Sequence, residues 1–152
     1  MKTASEIENI KEKFGAGIFQ VAVRNERRAT LTVDKDKIVD IADYLFSECH
    51  YRFIIASAMD SKEGFEILYH FSQDKSGLIL NLKVILDKKK PEIESLTCLF
   101  EAASWIEREM HEILGINFLH HPNLEKLISE GNWAEGVYPY RISKSNIGEK
   151  KE

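Results

Sequence analysis

Cysteine is scarce. Cys49 and Cys98 are the only thiols in this 152-residue chain. Neither belongs to a Cys-x-x-Cys pair, which disfavours zinc ribbons, thioredoxin-like redox sites and cysteine-ligated iron–sulfur clusters. Two thiols also build no disulfide framework, so a secreted disulfide scaffold is disfavoured. Proline is limited to three residues, and no low-complexity run or internal repeat divides the chain. No run approaches the ~18 apolar residues of a membrane-spanning helix, and the start lacks the apolar core of a signal peptide. There is no basic excess either. The net charge is −4, so nothing points to nucleic acid or an anionic membrane surface. What is present is a globular composition, 43% hydrophobic and 30% charged. The expectations are one domain over 1–131, an arm over 132–152, no cofactor, and a cytoplasmic location with any membrane contact made through a partner.

Periodicity predicts an α+β fold, an antiparallel or mixed sheet of four to five strands with helices packed on it. In the first helix Ser5 and Glu8 form a capping box, Ile7, Ile10 and Phe14 share a face, and Gly15 is the stop. Residues 18–23 and 29–33 flank Arg24-Asn25-Glu26-Arg27-Arg28 as a hairpin. A second helix is expected over 36–48, capped by Asp34 or Asp36. Residues 51–59 are almost wholly apolar and are expected inside the sheet. Residues 65–72 alternate, 78–86 alternate less cleanly with Asn81 and Lys83 on one face, and the glycine-bearing turns make these three strands antiparallel. The longest helix is expected over 95–114, with Leu96, Leu99, Phe100, Ala103, Ile106, Met110, Ile113 and Leu114 as its core stripe and Gly115 as its end. Pro122 opens a short helix through Ile128, closed by Gly131. From 132 to 141 the large residues Trp133, Val137, Tyr138 and Tyr140 follow no period, so this arm gains order by lying on another surface, its own domain's or a neighbour's. Residues 143–152 read as a polar, frayed tail.

The search for chemistry returns little. Gly15-Ala16-Gly17 lacks a third glycine and lies between helix and strand, the wrong context for a dinucleotide loop. There is no phosphate-binding loop and no Gly-x-Ser-x-Gly elbow. Cys49 and His50 are adjacent, whereas a nucleophile and its base come from distant positions, so Cys49 is expected to pack. His111, His120 and His121 match neither metal-binding spacing, and His121 before Pro122 reads as a residue bonded to nearby backbone. Tyr51, Phe53, Phe65, Tyr69 and Phe71, on adjacent strands, read as core. An enzyme or ligand-binding domain acting alone would need His111, Glu107 and His121 in one pocket.

One segment stands out. On a wheel of about 100° per residue, Trp105 points away from the core stripe, and Glu101, Arg108 and Glu112 share its side. Glu107 lies nearer the stripe, where a carboxylate needs a specific partner. Trp and Arg are frequent interface anchors, so the outward face reads either as a docking face or as a solvated helix face with one partly covered Trp.

Trp105, Glu107-Arg108-Glu109, Glu112, the run from Leu114 to Phe118 and His121-Pro122-x-Leu124 resemble in register the motif of the NuoC family, a subunit of respiratory complex I (the respiratory-chain NADH dehydrogenase). That family includes the matching small subunits of energy-converting, membrane-bound [NiFe] hydrogenases and formate hydrogenlyases. Two positions and one segment depart from it. Glu125 stands where a basic residue is usual, Glu112 where Asp is frequent, and Pro139-Tyr140-Arg141 keeps only the first part of the usual ending. These departures lean toward a hydrogenase-type complex. The resemblance implies a non-catalytic subunit of an oxidoreductase complex, on the cytoplasmic face of a membrane. Its implied partners are a hydrogenase-like large subunit and an iron–sulfur small subunit, and the flavin and clusters belong to other subunits. The residues expected to meet partners are Glu101, Trp105, Glu107, Arg108, Glu109, Glu112, His121, Pro122, Trp133, Tyr138 and Arg141.

Overall fold

The computed structural model describes residues 2–129 and 133–142. The expected tail over 143–152 and the closing Gly131 lie outside the described residues. The first helix, α1 (Lys2–Phe14), begins ahead of Ser5, so the Ser5–Glu8 box is not its cap. Thr3 accounts for the earlier start: its buried hydroxyl donates to Glu26 O at 2.5 Å and ties the helix to the hairpin turn.

Strands β1 (Ile18–Asn25) and β2 (Arg28–Val33) form the expected antiparallel hairpin. A helical stretch follows: a 3-10 turn, α2 (Ile38–Asp43) and a π turn ending at Glu48. Asp34 opens it by accepting the Asp36 N–H at 3.0 Å. It carries the chain across the sheet to β3 (Arg52–Asp60), from which β4 (Phe65–Gln73) and β5 (Leu78–Leu86) return as an antiparallel meander. β5 then pairs with β2 in parallel, giving a mixed five-stranded sheet of order β1-β2-β5-β4-β3.

β3 is therefore an edge strand and not an interior one. It is apolar because both its faces carry apolar side chains, not because both are covered. Ala56 is buried beneath the helices, while Ile54, Ile55 and Met59 are 41%, 49% and 53% exposed. The core lies on one face of the sheet, with Phe65, Ile67, Tyr69 and Phe71 of β4 and Leu78, Leu80, Leu82, Val84 and Leu86 of β5 all buried. The alternate residues of these strands form a second face that no helix among the described residues covers.

Beyond β5 come β6 (Glu92–Glu94), a 3-10 turn over Leu96–Cys98, α3 (Ala103–Leu114) and β7 (Asn117–Leu119). β6 and β7 pair in parallel as a small second sheet. The long helix thus starts at Ala103, not at 95. Ser95 caps the 3-10 turn by accepting the Thr97 N–H at 3.1 Å, and the Leu96 N–H bonds to Glu107 instead of a helical carbonyl. Leu96 and Phe100 still reach the core, from the turn. Glu101 precedes α3. No helix forms over 122–128, because α3 side chains take the backbone groups of that segment.

Candidate interaction site

The site is built on α3. Glu107 is fully buried and accepts two short hydrogen bonds, from Ser95 Oγ at 2.5 Å and Leu96 N at 2.7 Å. Its helix thereby anchors the turn that precedes it. Burial pushes the carboxyl up to about 7, against the two hydrogen bonds, which pull it down. His121, also buried, brings Nε2 within 3.8 Å of the Glu107 carboxylate. Its Nδ1 accepts the Asn123 N–H at 3.0 Å, so Nε2 carries the proton and donates to Ser104 O at 3.2 Å. The buried Tyr69 hydroxyl lies in the field of Glu107 and has no hydrogen-bond partner among the described residues.

Arg108 and Glu112 both hold the segment after β7. Arg108 donates from Nε to Glu125 O and from Nη2 to Lys126 O, each at 2.9 Å. Glu112 is 6% exposed, which corrects its outward placement. It does not brace Arg108. It accepts the backbone N–H groups of Leu127 at 2.9 Å, Ile128 at 2.8 Å and Ser129 at 2.7 Å, and the Ser129 hydroxyl. Burial raises its carboxyl, but the bonds from Ile128, Ser129 and Leu127 outweigh that and hold it at about 2. One carboxylate thus does for three successive amides what a helical turn would do.

Gly115 ends α3 at φ +76°, and its N–H bonds to His111 O at 2.9 Å. The arm closes over it. Tyr140 N donates to Ile113 O at 3.1 Å, Arg141 Nε to Leu114 O at 2.7 Å, and Ile142 N to Asp60 Oδ2 at 2.8 Å. The Arg141 guanidinium lies over the rings of Tyr138 and Phe65, 4.3 and 5.1 Å from their centroids. A Cβ at Gly115 would stand 2.5 Å from Arg141 Nη2 and 2.7 Å from Tyr138 Cζ. Gly115→Ala is therefore expected to cost about 2 kcal/mol, from left-handed strain and displacement of the arm. Thermal unfolding measures the loss, and amide exchange at Tyr140 and Arg141 locates it.

The candidate residues fall into two groups. Glu107, Glu112, His121 and Arg141 are occupied by bonds within the chain, as is the guanidinium of Arg108. Trp105 is 70% exposed on α3, and Ile128, Trp133, Tyr140 and Ile142 are 60%, 45%, 65% and 66% exposed. Glu101 and Pro122 are exposed, and Glu109 and Tyr138 are half-buried. His111 does not join Glu107 and His121. Its Nδ1 donates to Ile116 O at 2.8 Å, and it lines a cavity of about 180 Å³ with Glu112, Lys126, Trp133 and Tyr138. The pocket needed by a self-sufficient domain is not assembled. Among the described residues, no group of three or more His, Cys, Asp or Glu is placed to hold a metal ion. Ser95, Ser104 and the amides of 127–129 were not foreseen, because no local spacing links them to α3.

In this geometry the motif charges order backbone, and large apolar side chains stay on the surface. The chain belongs to the family described as respiratory-chain NADH dehydrogenase, 30 Kd subunit, whose model matches residues 31–148. It is 31% identical over 144 residues to a subunit of the F(420)H(2) dehydrogenase of Methanosarcina mazei, covering 93% of this chain and 90% of that protein. It is 29% identical over 130 residues to the corresponding subunit of the NADH-quinone oxidoreductase of Geobacter sulfurreducens, covering 82% and 79%. Among solved structures, a chain of the membrane-bound sulfane sulfur reductase, an archaeal respiratory membrane complex, is similar with TM-score 0.79 and 26% identity, covering 93% and 84%. The trypsin-resistant fragment of Nqo5 shares the fold with TM-score 0.68 and 18% identity, covering 82% of this chain and all of the fragment. The relatives are subunits of complex I-like and related membrane-associated complexes. No helix among the described residues is long and apolar enough to cross a membrane.

Proposed function

We propose that the chain is a non-catalytic assembly subunit in the peripheral arm of such a complex, a complex I-like quinone reductase or an energy-converting hydrogenase. It docks onto the large catalytic subunit and reaches the membrane only through the assembly. The observation that carries this reading is the exposure of Trp105, Ile128, Tyr140 and Ile142 around a helix whose charged motif is turned inward. Large apolar side chains held in place by internal bonds suit an interface, since little ordering remains to be done on binding. The family relatives, named as subunits of multi-subunit complexes, support it.

Trp105→Ala and Tyr140→Ala are expected to leave the thermal midpoint of the free chain nearly unchanged. Each is expected to weaken co-purification with the large subunit, by about 30- to 1000-fold in affinity for a buried anchor. Normal assembly of both variants would refute the placement of the docking face.

A further inference from the structure

Among the described residues, the second face of the five-stranded sheet has no covering element. We infer that it is a second protein interface, taking an acidic surface of another subunit against the arginines of the β1–β2 hairpin. This goes beyond the docking site at α3 and needs only that the chain be part of a multi-subunit assembly.

Three observations carry it. First, β3 is apolar on both sides. One side lies against the core, while Ile55 and Met59 stand 49% and 53% exposed on the other. With half-buried Leu68, Ile79 and Ile85 on the neighbouring strands, they make the open face apolar as well. A strand with this pattern matches burial on two sides.

Second, the polar groups at the centre of the open face are already paired with one another. Asn81 Oδ1 can only accept, so His70 Nδ1–H donates to it at 2.7 Å, and His70 Nε2 then takes the Ser57 hydroxyl at 3.1 Å. Asn81 Nδ2 donates onward to Thr30 Oγ1 at 3.2 Å. This ladder crosses four strands. Beside it Lys83 pairs with Glu66 at 3.2 Å. A face whose polar atoms have protein partners loses little when water is removed.

Third, Arg24, Arg27 and Arg28 are exposed within five residues and form no ion pair among the described residues, although the chain is acidic overall. Arg28 also lines a groove of about 240 Å³ with Ile54, Ile55, His70, Ile79 and Asn81, which joins the basic tip to the apolar centre. The partner that fits has carboxylates opposite the tip and apolar side chains opposite the isoleucines. A second copy of this face fits poorly, because Glu66 and the adjacent Asp74 are already paired with Lys83 and Arg52.

The test uses the assembled complex, with Arg27→Lys and Arg28→Lys in the full chain. A zero-length carbodiimide then joins the new amines to any carboxylate in contact, and mass spectrometry identifies the partner. Amide cross-links to Asp or Glu of another subunit are expected. Hydrogen peroxide is expected to oxidise Met59 several-fold more slowly in the complex than in the free chain. Hydroxyl-radical labelling of Trp105 in parallel samples reports the α3 site separately, so failure of one interface is distinguishable from failure of the other. Cross-links to a second copy of this chain would overturn the inference. So would the absence of cross-links with Met59 oxidised equally in both states. Binding of the free chain to phosphatidylglycerol vesicles, abolished by Arg27→Glu with Arg28→Glu and accompanied by no protein cross-link, would assign the tip to lipid instead.

Discussion

Glu107→Ala is expected to destabilise the free chain by about 3 kcal/mol at about pH 5, a fall in thermal midpoint of roughly 6–12 °C. The Leu96 amide and the Ser95 hydroxyl would lose an acceptor where both lie in the protein interior. Glu107→Gln separates shape from charge. The amide oxygen still accepts from Leu96, and its NH2 donates to Ser95, whose hydroxyl turns to Thr97 Oγ1, 2.6 Å away. The charge effect has a definite sign. Folding raises the Glu107 carboxyl from 4.5 to about 7, so the native state holds a proton that the unfolded state has released. Its contribution is full below pH 4.5, is lost as pH rises through 7, and is constant above that. Relative to Glu107→Gln, the native sequence is expected to lose on the order of 3 kcal/mol across this window. Denaturant titrations of both at about pH 5 and about pH 8 measure it. A difference that does not change with pH would mean that the carboxylate stays hydrated.

Glu112→Ala is expected to release the segment it holds while leaving the sheet intact. Three backbone amides and a hydroxyl lose their acceptor. Leu127 and Ile128 sit at the surface and can return to water, whereas Ser129 is buried. A local cost of about 2–3 kcal/mol corresponds to amide exchange faster by roughly 30- to 150-fold at 127–129. Protection in β4 and β5 should hold. Unchanged exchange at 127–129 would show that the segment is ordered by something else. Ile128 is presented by this carboxylate, so the same variant is expected to weaken assembly even though Glu112 itself cannot reach a partner.

Local signals in the sequence carried most of the sheet. The β1–β2 hairpin, the β3–β4–β5 meander, the Asp34 cap and the Gly115 stop each depend on a few adjacent residues, and each forms. The outward direction of Trp105 was also legible, since it needs only the helical period. Tertiary bonds were not. The Ser95–Glu107 contact starts α3 at Ala103, and nothing near Ser95 announces it. Pro122 is a sound local sign of a helix start, but the Glu112 carboxylate takes the amide hydrogens that a helix would use. Glu112 itself looked solvated because the helical period puts it on the side of Trp105 and Arg108, away from the core stripe. Here the 125–129 segment lies between these two charged groups and the solvent, and each bonds to that backbone instead. β6 and β7, with three residues each, are too short to show a period, and the parallel pairing of β2 with β5 leaves no local mark.

In the proposed function the charged motif acts within the chain and Trp105 acts between chains. Amide exchange of the free full-length protein, compared between Arg108→Ala and Trp105→Ala, separates these roles. Arg108→Ala removes two charge-assisted bonds to the Glu125 and Lys126 carbonyls, so exchange over 125–129 should accelerate by about tenfold or more. Trp105→Ala should leave that exchange unchanged. Faster exchange in Trp105→Ala, or unchanged exchange in Arg108→Ala, would contradict this division of roles.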